Sequence, residues 1–373
     1  MNWFLLLLSV LIAPFAAGQK ITHPSQTLAD PAYAQAIQKA RRLVDSLRTQ
    51  QGIPGLSVCV GTRDKLLWAE AFGLADVENQ TPLTVQSRFR MGSVSKSITS
   101  LALGKLVQDG RLNPDAPLET YFRGFPPKRY PVTARQLASH TAGIRHYGPR
   151  DGLECLRRYP TVEEGLAIFA ADSLLFRPGT AYHYSTYGYT LLSVLLEKAS
   201  QTPFLTYLQT AIFTPLGMQH TGADHSDRIE KNRVRFYERR NGQLVNAAQV
   251  ENSYKWAGGG LLSTPGDLVI MSAGLMNHTL LKQQTVELLF KPTLLADGTN
   301  TQYGLGWRIG QDRQQRRLIH HGGSIDGGRT FLLIYPDANL SVAIAANMLE
   351  GTNLNLPELE AIAGYFLQRT ELR

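Results

Sequence analysis

Apolar positions change their period along this chain. From Pro31 to Gln51 they recur at helical spacing, with Ala36, Ile37, Ala40, Leu43, Val44 and Leu47 on one stripe and Lys39, Arg41, Arg42 and Arg48 between them. Gly52 and Pro54 end that helix. Leu56 to Val60 and Lys65 to Phe72 then read as the two strands of a hairpin turned at Gly61-Thr62-Arg63-Asp64. Helical spacing returns at Ser93. Ile98, Leu101, Ala102 and Lys105 lie on one side, and Leu103, Leu106 and Val107 widen the apolar face around much of the circumference. This predicts a central, buried helix that stops at Asp109-Gly110.

Residues 112–290 are richer in helical pattern and loops. Short helices are expected at Thr133 to Ser139 and at Thr161 to Ala170, the latter with Glu163 and Glu164 near its positive end. Another is expected from Tyr187 to Ala199, and one begins at the Thr264-Pro265-Gly266-Asp267 cap. Strand patterns then reappear at Gly304 to Ile309, Leu318 to His321, Thr330 to Tyr335 and Leu340 to Ala346. A last helix starts at Pro357 and carries Leu359, Ile362, Ala363 and Phe366. No repeat or low-complexity linker interrupts the apolar segments. The expectation is one α/β (α+β) unit. An antiparallel sheet flanked by helices draws on residues 30–110 and 290–373, and a largely helical insertion spans 111–289.

Composition removes several function classes. Of 373 residues, 43% are hydrophobic and 18% charged, which excludes a disordered or fibrous chain. The net charge is +8, but no Lys/Arg block reads as a nucleic-acid patch; Arg313, Arg316 and Arg317 read as a solvated hairpin tip. Cys59 and Cys155 can form at most one disulfide and cannot build a cysteine-rich metal site. No H-E-x-x-H run, G-x-S-x-G elbow or Walker-type loop is present, and His140 and His146 share a loop without a paired carboxylate, so neither metal nor cofactor is expected. Trp3 to Phe15, followed by Ala16-Ala17-Gly18, reads as a secretory signal over residues 1–18, too short to span a membrane comfortably. A single exported domain, residues 19–373, without stable membrane insertion, is expected to remain.

Ser93-Val94-Ser95-Lys96 carries the candidate chemistry. It sets a hydroxyl and an amine at positions i and i+3, on one face of a first helical turn. A lysine held neutral by burial or neighbouring cations can take a proton from such a hydroxyl. A chain of this composition contains about one S-x-x-K by chance, so the motif alone also describes an N-cap serine and a solvated lysine. Its surroundings change that reading. Phe89-Arg90-Met91-Gly92-Ser93-Val94-Ser95-Lys96-Ser97-Ile98-Thr99 resembles the active-site segment of the penicillin-binding-protein and class C beta-lactamase superfamily. Leu137-Ala138-Ser139-His140-Thr141-Ala142-Gly143-Ile144 and Gly259-Gly260-Leu261-Leu262-Ser263-Thr264-Pro265-Gly266-Asp267-Leu268 resemble further segments of it, in order. The resemblance implies a beta-lactamase/transpeptidase-like fold.

Two further matches name site residues. Tyr184-Ser185-Thr186 stands where many relatives have Tyr-x-Asn. The resemblance implies that Tyr184 shares proton transfer with Lys96, helping to deprotonate Ser93 and then protonating the leaving group. Thr186 is a departure, because a hydroxyl cannot replace the amide with which Asn holds a lactam's side chain. His321-Gly322-Gly323-Ser324 stands where penicillin-binding relatives carry Lys-Thr-Gly; His-x-Gly is common in esterase and peptidase members. By this match His321 faces the site from a strand edge, giving the substrate a donor or tuning Lys96 and Tyr184. Gly323 lets the strand approach, and the N–H groups of Ser93 and Ser324 form an oxyanion hole. His320 faces the other way. The motifs look closest to LACTB-type serine hydrolases, a group in which Arg145 and His146 either touch substrate or serve as a loop salt bridge and hydrogen bond.

The expectation is a serine acyl hydrolase that cleaves a small peptide amide or ester through an acyl-enzyme. Ser93, Lys96 and Tyr184 are its catalytic set; Ser93, Ser324, His321, Gly323 and Thr186 are its oxyanion and substrate contacts. The alternatives are a class C beta-lactamase or DD-peptidase acting on penicillins or peptidoglycan peptides, and a non-catalytic scaffold of the same fold. The expected location is the bacterial periplasm.

Overall fold

Strand-forming segments from opposite ends of the chain meet in one sheet. A computed structural model describes residues 21–370; the expected signal segment lies outside them. Leu28–Ala29 (β1), Gly55–Gly61 (β2) and Leu66–Asp76 (β3) come from the N-terminal part. After the short strands Phe89–Arg90 (β4) and Leu261–Ser263 (β5), the C-terminal part adds Arg308–Gln311 (β6), Arg317–Ile325 (β7), Gly328–Tyr335 (β8) and Leu340–Ala346 (β9). The large sheet is antiparallel, in the order β1-β3-β2-β9-β8-β7-β6. Pairing of Cys59 with Ala343 and of Val58 with Ile344 joins the two ends of the sequence.

Side chains alternate across this sheet, so its central strands serve two cores. Leu56, Val58, Val60, Leu333, Val342 and Ile344 pack on one face with Ala34–Gln50 (α1) and the C-terminal helix. Cys59, Leu332, Ile334, Ala343 and Ala345 pack on the other with Val94–Gln108 (α2) and the helical part. Ala134–Ala138 (α3), Thr186–Ser200 (α4) and Pro265–Met276 (α5) belong to that second side, and Leu356–Thr370 (α6) closes the first. Thr133 caps α3 through a complete capping box with Gln136, and Thr264 caps α5 by accepting from the Asp267 N–H. Both cysteines are free, and burial, then Asp267, pushes the Cys59 thiol up.

Helix α2 is buried on nearly every side, as its apolar wrap predicts. Its polar residues are bonded to the loops that enclose it. Ser97 Oγ donates to Gly306 O at 2.8 Å, Thr99 Oγ1 to Ala257 O at 2.9 Å, and Ser100 Oγ to Leu305 O. These contacts explain why residues 304–307 are not strand, contrary to the sequence expectation. The Leu305 and Gly306 carbonyls turn toward α2, Gly306 sits at φ +90°, and pairing with β7 begins only at Arg308. A second expectation also fails. Thr161 to Ala170 makes only a 3-10 turn, Glu164–Ile168. Leu166 N–H bonds to Glu163 O and Phe169 N–H to Leu166 O, the i→i+3 pattern of such a turn, and the Ile168 and Ala170 carbonyls at its end accept from Arg145 (3.1 Å) and Lys128 (2.5 Å). Strand β7 runs past its expected end at His321, because its two glycines permit close packing rather than a turn.

A buried ion pair fixes β4, the strand that leads into Ser93. Arg90 Nε donates to Asp224 Oδ2 at 2.9 Å, with both side chains below 5% exposed, and Arg90 Nη1 donates to Asp326 O at 2.8 Å. Replacing Asp224 by Ala leaves this guanidinium buried without its counter-charge, which costs about 3–5 kcal/mol. Denaturant unfolding should show that loss, whereas the exposed pair partner Asp45→Ala should change stability by no more than about 1 kcal/mol.

Candidate active site

Ser93 opens α2 as its N-cap residue, yet its side chain makes no capping hydrogen bond. The hydroxyl instead meets Lys96, whose Nζ lies 3.2 Å from Ser93 Oγ. Lys96 is fully buried, so it is not a solvated helix residue. Its Nζ also lies 3.1 Å from Thr186 Oγ1 and 2.5 Å from Gly258 O. No carboxylate is among these partners. Burial, then the positive charges of Lys255 and Arg308, hold its pKa well below the ordinary value of 10.5. A neutral amine has two N–H donors and one lone pair. Gly258 O and Thr186 Oγ1 accept the two donors, and the lone pair is left for the Ser93 proton.

Tyr184 stands just before α4. Burial raises its pKa, so the phenol keeps its proton, while the neighbouring Ser93 hydroxyl acts in the opposite direction. Its ring centre lies 4.7 Å from Lys96 Nζ. Three contacts from His140 set the position of this tyrosine. The His140 carbonyl accepts from the His183 N–H at 2.9 Å, and its Nδ1 accepts from the Ser185 N–H at 3.1 Å. Its ring lies 4.2 Å from the Tyr184 ring. Because Nδ1 accepts, the proton of neutral His140 is on Nε2. Burial, then Lys96, lowers its pKa well below the ordinary histidine range. Nothing in the residue types around His140 announces this clamp, which depends on a loop-to-loop contact.

The other expected residues are brought to the same place in different ways. Thr186 faces Lys96 with its hydroxyl and lines the cleft. His321 is 1% exposed. Its Nδ1 donates to Gly322 O at 2.8 Å, so its Nε2 accepts from the Tyr303 hydroxyl at 2.9 Å. Both ring nitrogens are thus engaged within the protein, and His321 presents no donor to a substrate. It supports the aromatic wall of Tyr303 and Tyr184 instead. His320 stacks on Phe331, away from the site. Arg145 is the salt-bridge residue of its loop, paired with Asp151 (2.8 Å) and Asp172 (2.5 Å). His146 lines the cleft, and its Nδ1 accepts from the Thr186 N–H at 3.2 Å.

Strand β7 brings Ser324 to Ser93. The β6 ladder ends at the Arg308–His320 pair, so the rest of β7 borders the Met91–Ser93 turn. At Gly323 a Cβ would overlap the Met91 carbonyl oxygen and lie 3.2 Å from Ser93 N. Only glycine permits this approach, which brings the Ser93 and Ser324 peptides to one side of a cleft of about 210 Å³. Lys255, Gly258, Gly259, Asp326 and Leu349 also line it. Lys255 and Arg308 were not apparent in the sequence; each is one cation among many until the fold places it near Lys96. Among the described residues no cluster of His, Cys, Asp or Glu could hold a metal, and no helix is long and apolar enough to cross a membrane.

Replacing Gly323 by Ala should separate β7 from the Ser93 turn. Any Ser93-dependent turnover should fall by about a hundredfold or more, the size of losing one oxyanion donor, with the strand content in circular dichroism retained.

The beta-lactamase family matches residues 40–364. The human mitochondrial serine beta-lactamase-like protein LACTB is 31% identical, over 84% of this chain and 75% of its own. Penicillin-binding protein 4* of Bacillus subtilis is 26% identical, over 79% of this chain and 68% of its own. Among solved structures, the octameric penicillin-binding protein homologue from Pyrococcus abyssi superposes with a TM-score of 0.75 at 26% identity, covering 90% of this chain and 78% of that one. This chain belongs to the beta-lactamase family, within the superfamily that includes the penicillin-binding proteins.

Proposed function

We propose that the protein is a serine acyl hydrolase acting on a small peptide amide or ester. The observation that carries this reading is the fully buried Lys96 amine, without a counter-ion among the described residues, 3.2 Å from the Ser93 hydroxyl. Ser93 Oγ attacks the acyl carbonyl while its proton passes to the Lys96 lone pair. The developing oxyanion is held by the Ser93 and Ser324 N–H groups. Tyr184, still carrying its phenolic proton, donates it to the departing nitrogen or oxygen and regains a proton through Ser93 and Lys96. Water then attacks the acyl-enzyme, delivering its proton along the same path, and Ser93 is regenerated. No step requires a metal or cofactor.

Thr186 counts against a lactam substrate. Its hydroxyl is committed to Lys96, and it has no amide to hold a penicillin side chain. The apolar segment near the N-terminus supports export, in a bacterium to the periplasm, as part of the same proposal.

Ser93→Ala should abolish hydrolysis of p-nitrophenyl esters while leaving thermal unfolding unchanged; normal turnover by this variant would refute the assignment. The reaction needs Lys96 neutral. Its rate should therefore be lost as pH falls through the lowered Lys96 pKa and be sustained above it. Arg308→Gln removes a cation that depresses that pKa, so the acid limb of the pH–rate profile should move to higher pH.

A further inference from the structure

Lys255 is a cation in the cleft that helps lower the Lys96 pKa from a distance but takes no direct part in the proton transfers. It is 7% exposed, yet it lines the pocket beside Ser93. Its ammonium lies 5.1 Å from the Tyr254 ring centre and 5.8 Å from that of Tyr147. Among the described residues, no carboxylate forms an ion pair with it and no acceptor takes a hydrogen bond from it; Asp326 and Asp224 act on it only at longer range. Aromatic faces offset only part of the cost of burying a cation. The contrast with Arg90 is informative, since that neighbouring buried cation has Asp224 at 2.9 Å. Asp326 also lines the pocket but forms no ion pair with Lys255, so the ammonium stays unpaired beside the open space.

The pocket also indicates which half of a substrate would supply that anion. Tyr184, which protonates the leaving group, is not part of its lining, nor are His321 and Arg308. The lining instead holds Gly258, Gly259, Ser324 and Asp326 together with Lys255. The leaving group departs on the Tyr184 side, and the acyl half stays with Lys255. We propose that Lys255 binds a carboxylate carried by the acyl half of the substrate. Dicarboxylic half-esters and half-amides, such as glutaryl derivatives, are then the preferred acyl donors. This rests on the serine hydrolase reading, and it adds to that reading a substrate class and a specificity residue.

The test compares two fluorophosphonates of equal chain length, one ending in a carboxylate and one in its methyl ester. Their second-order rate constants for labelling Ser93 are read by intact mass and peptide mapping. The carboxylate probe should react about tenfold faster or more; Lys255→Met should lower that ratio below about twofold, and Lys255→Arg should retain most of it. If Lys255→Met does not fold, the ratio in the unsubstituted protein and its decline with added salt decide the matter. Equal rates with Ser93 labelled would overturn the role of Lys255 and leave the hydrolase reading standing, as would a preference that survives in Lys255→Met. Failure of both probes to label Ser93 would overturn the two together.

Discussion

A lysine amine buried without a counter-ion among the described residues is the constraint on which the site depends. In water the Lys96 amine would be protonated and useless as a base. Inside the protein, protonation would place a full charge out of reach of water, with Lys255 and Arg308 adding repulsion. The fold therefore has to bury α2 completely and still satisfy every polar group on it. The hydroxyls of Ser97, Thr99 and Ser100 meet that need by binding loop carbonyls. Those same bonds turn residues 304–307 out of the sheet and shorten the β6 ladder, which leaves one edge of β7 to the Ser93 turn. Desolvating the base and exposing the strand edge are thus two results of one packing arrangement.

The aromatic wall follows from the same burial. Tyr184 must hold its ring against Lys96 and its hydroxyl near Ser93, and it lies outside the regular helix α4. His140 supplies the missing restraint by binding the peptide groups on either side of it. His321 and Tyr303 are joined to each other behind it. The histidines around this site are held neutral by burial, with Lys96 the next largest influence on His140, His146 and His321. Each acts through a fixed tautomer rather than as a charge.

Elements with strong local signals were legible in the sequence. Leu340–Ala346 occupies its expected span, and the caps at Thr133 and Thr264 are formed, because period and capping chemistry are local. The Ser93–Lys96 pair was legible as a spacing, but whether it was chemistry or chance needed the resemblance around it. The helix expected at Thr161 to Ala170 is only a 3-10 turn, whose terminal carbonyls bind Arg145 and Lys128 across contacts distant in sequence. His321 was legible as a site residue, but not its tautomer, which is set by the Gly322 carbonyl and leaves Nε2 to accept from Tyr303. Lys255, Arg308 and the His140 clamp had no local signature, since each acts across contacts that only the folded chain makes.

The central claim is that Lys96 is neutral at the pH where the protein works. Nuclear magnetic resonance of ε-carbon-labelled lysine, with Lys96 assigned by its loss in Lys96→Arg, measures this directly. The Lys96 signal should titrate well below the ordinary 10.5, apart from the exposed lysines. A Lys96 signal that titrates with the exposed lysines would show that the amine is charged at neutral pH, and would contradict the account of how Ser93 is activated.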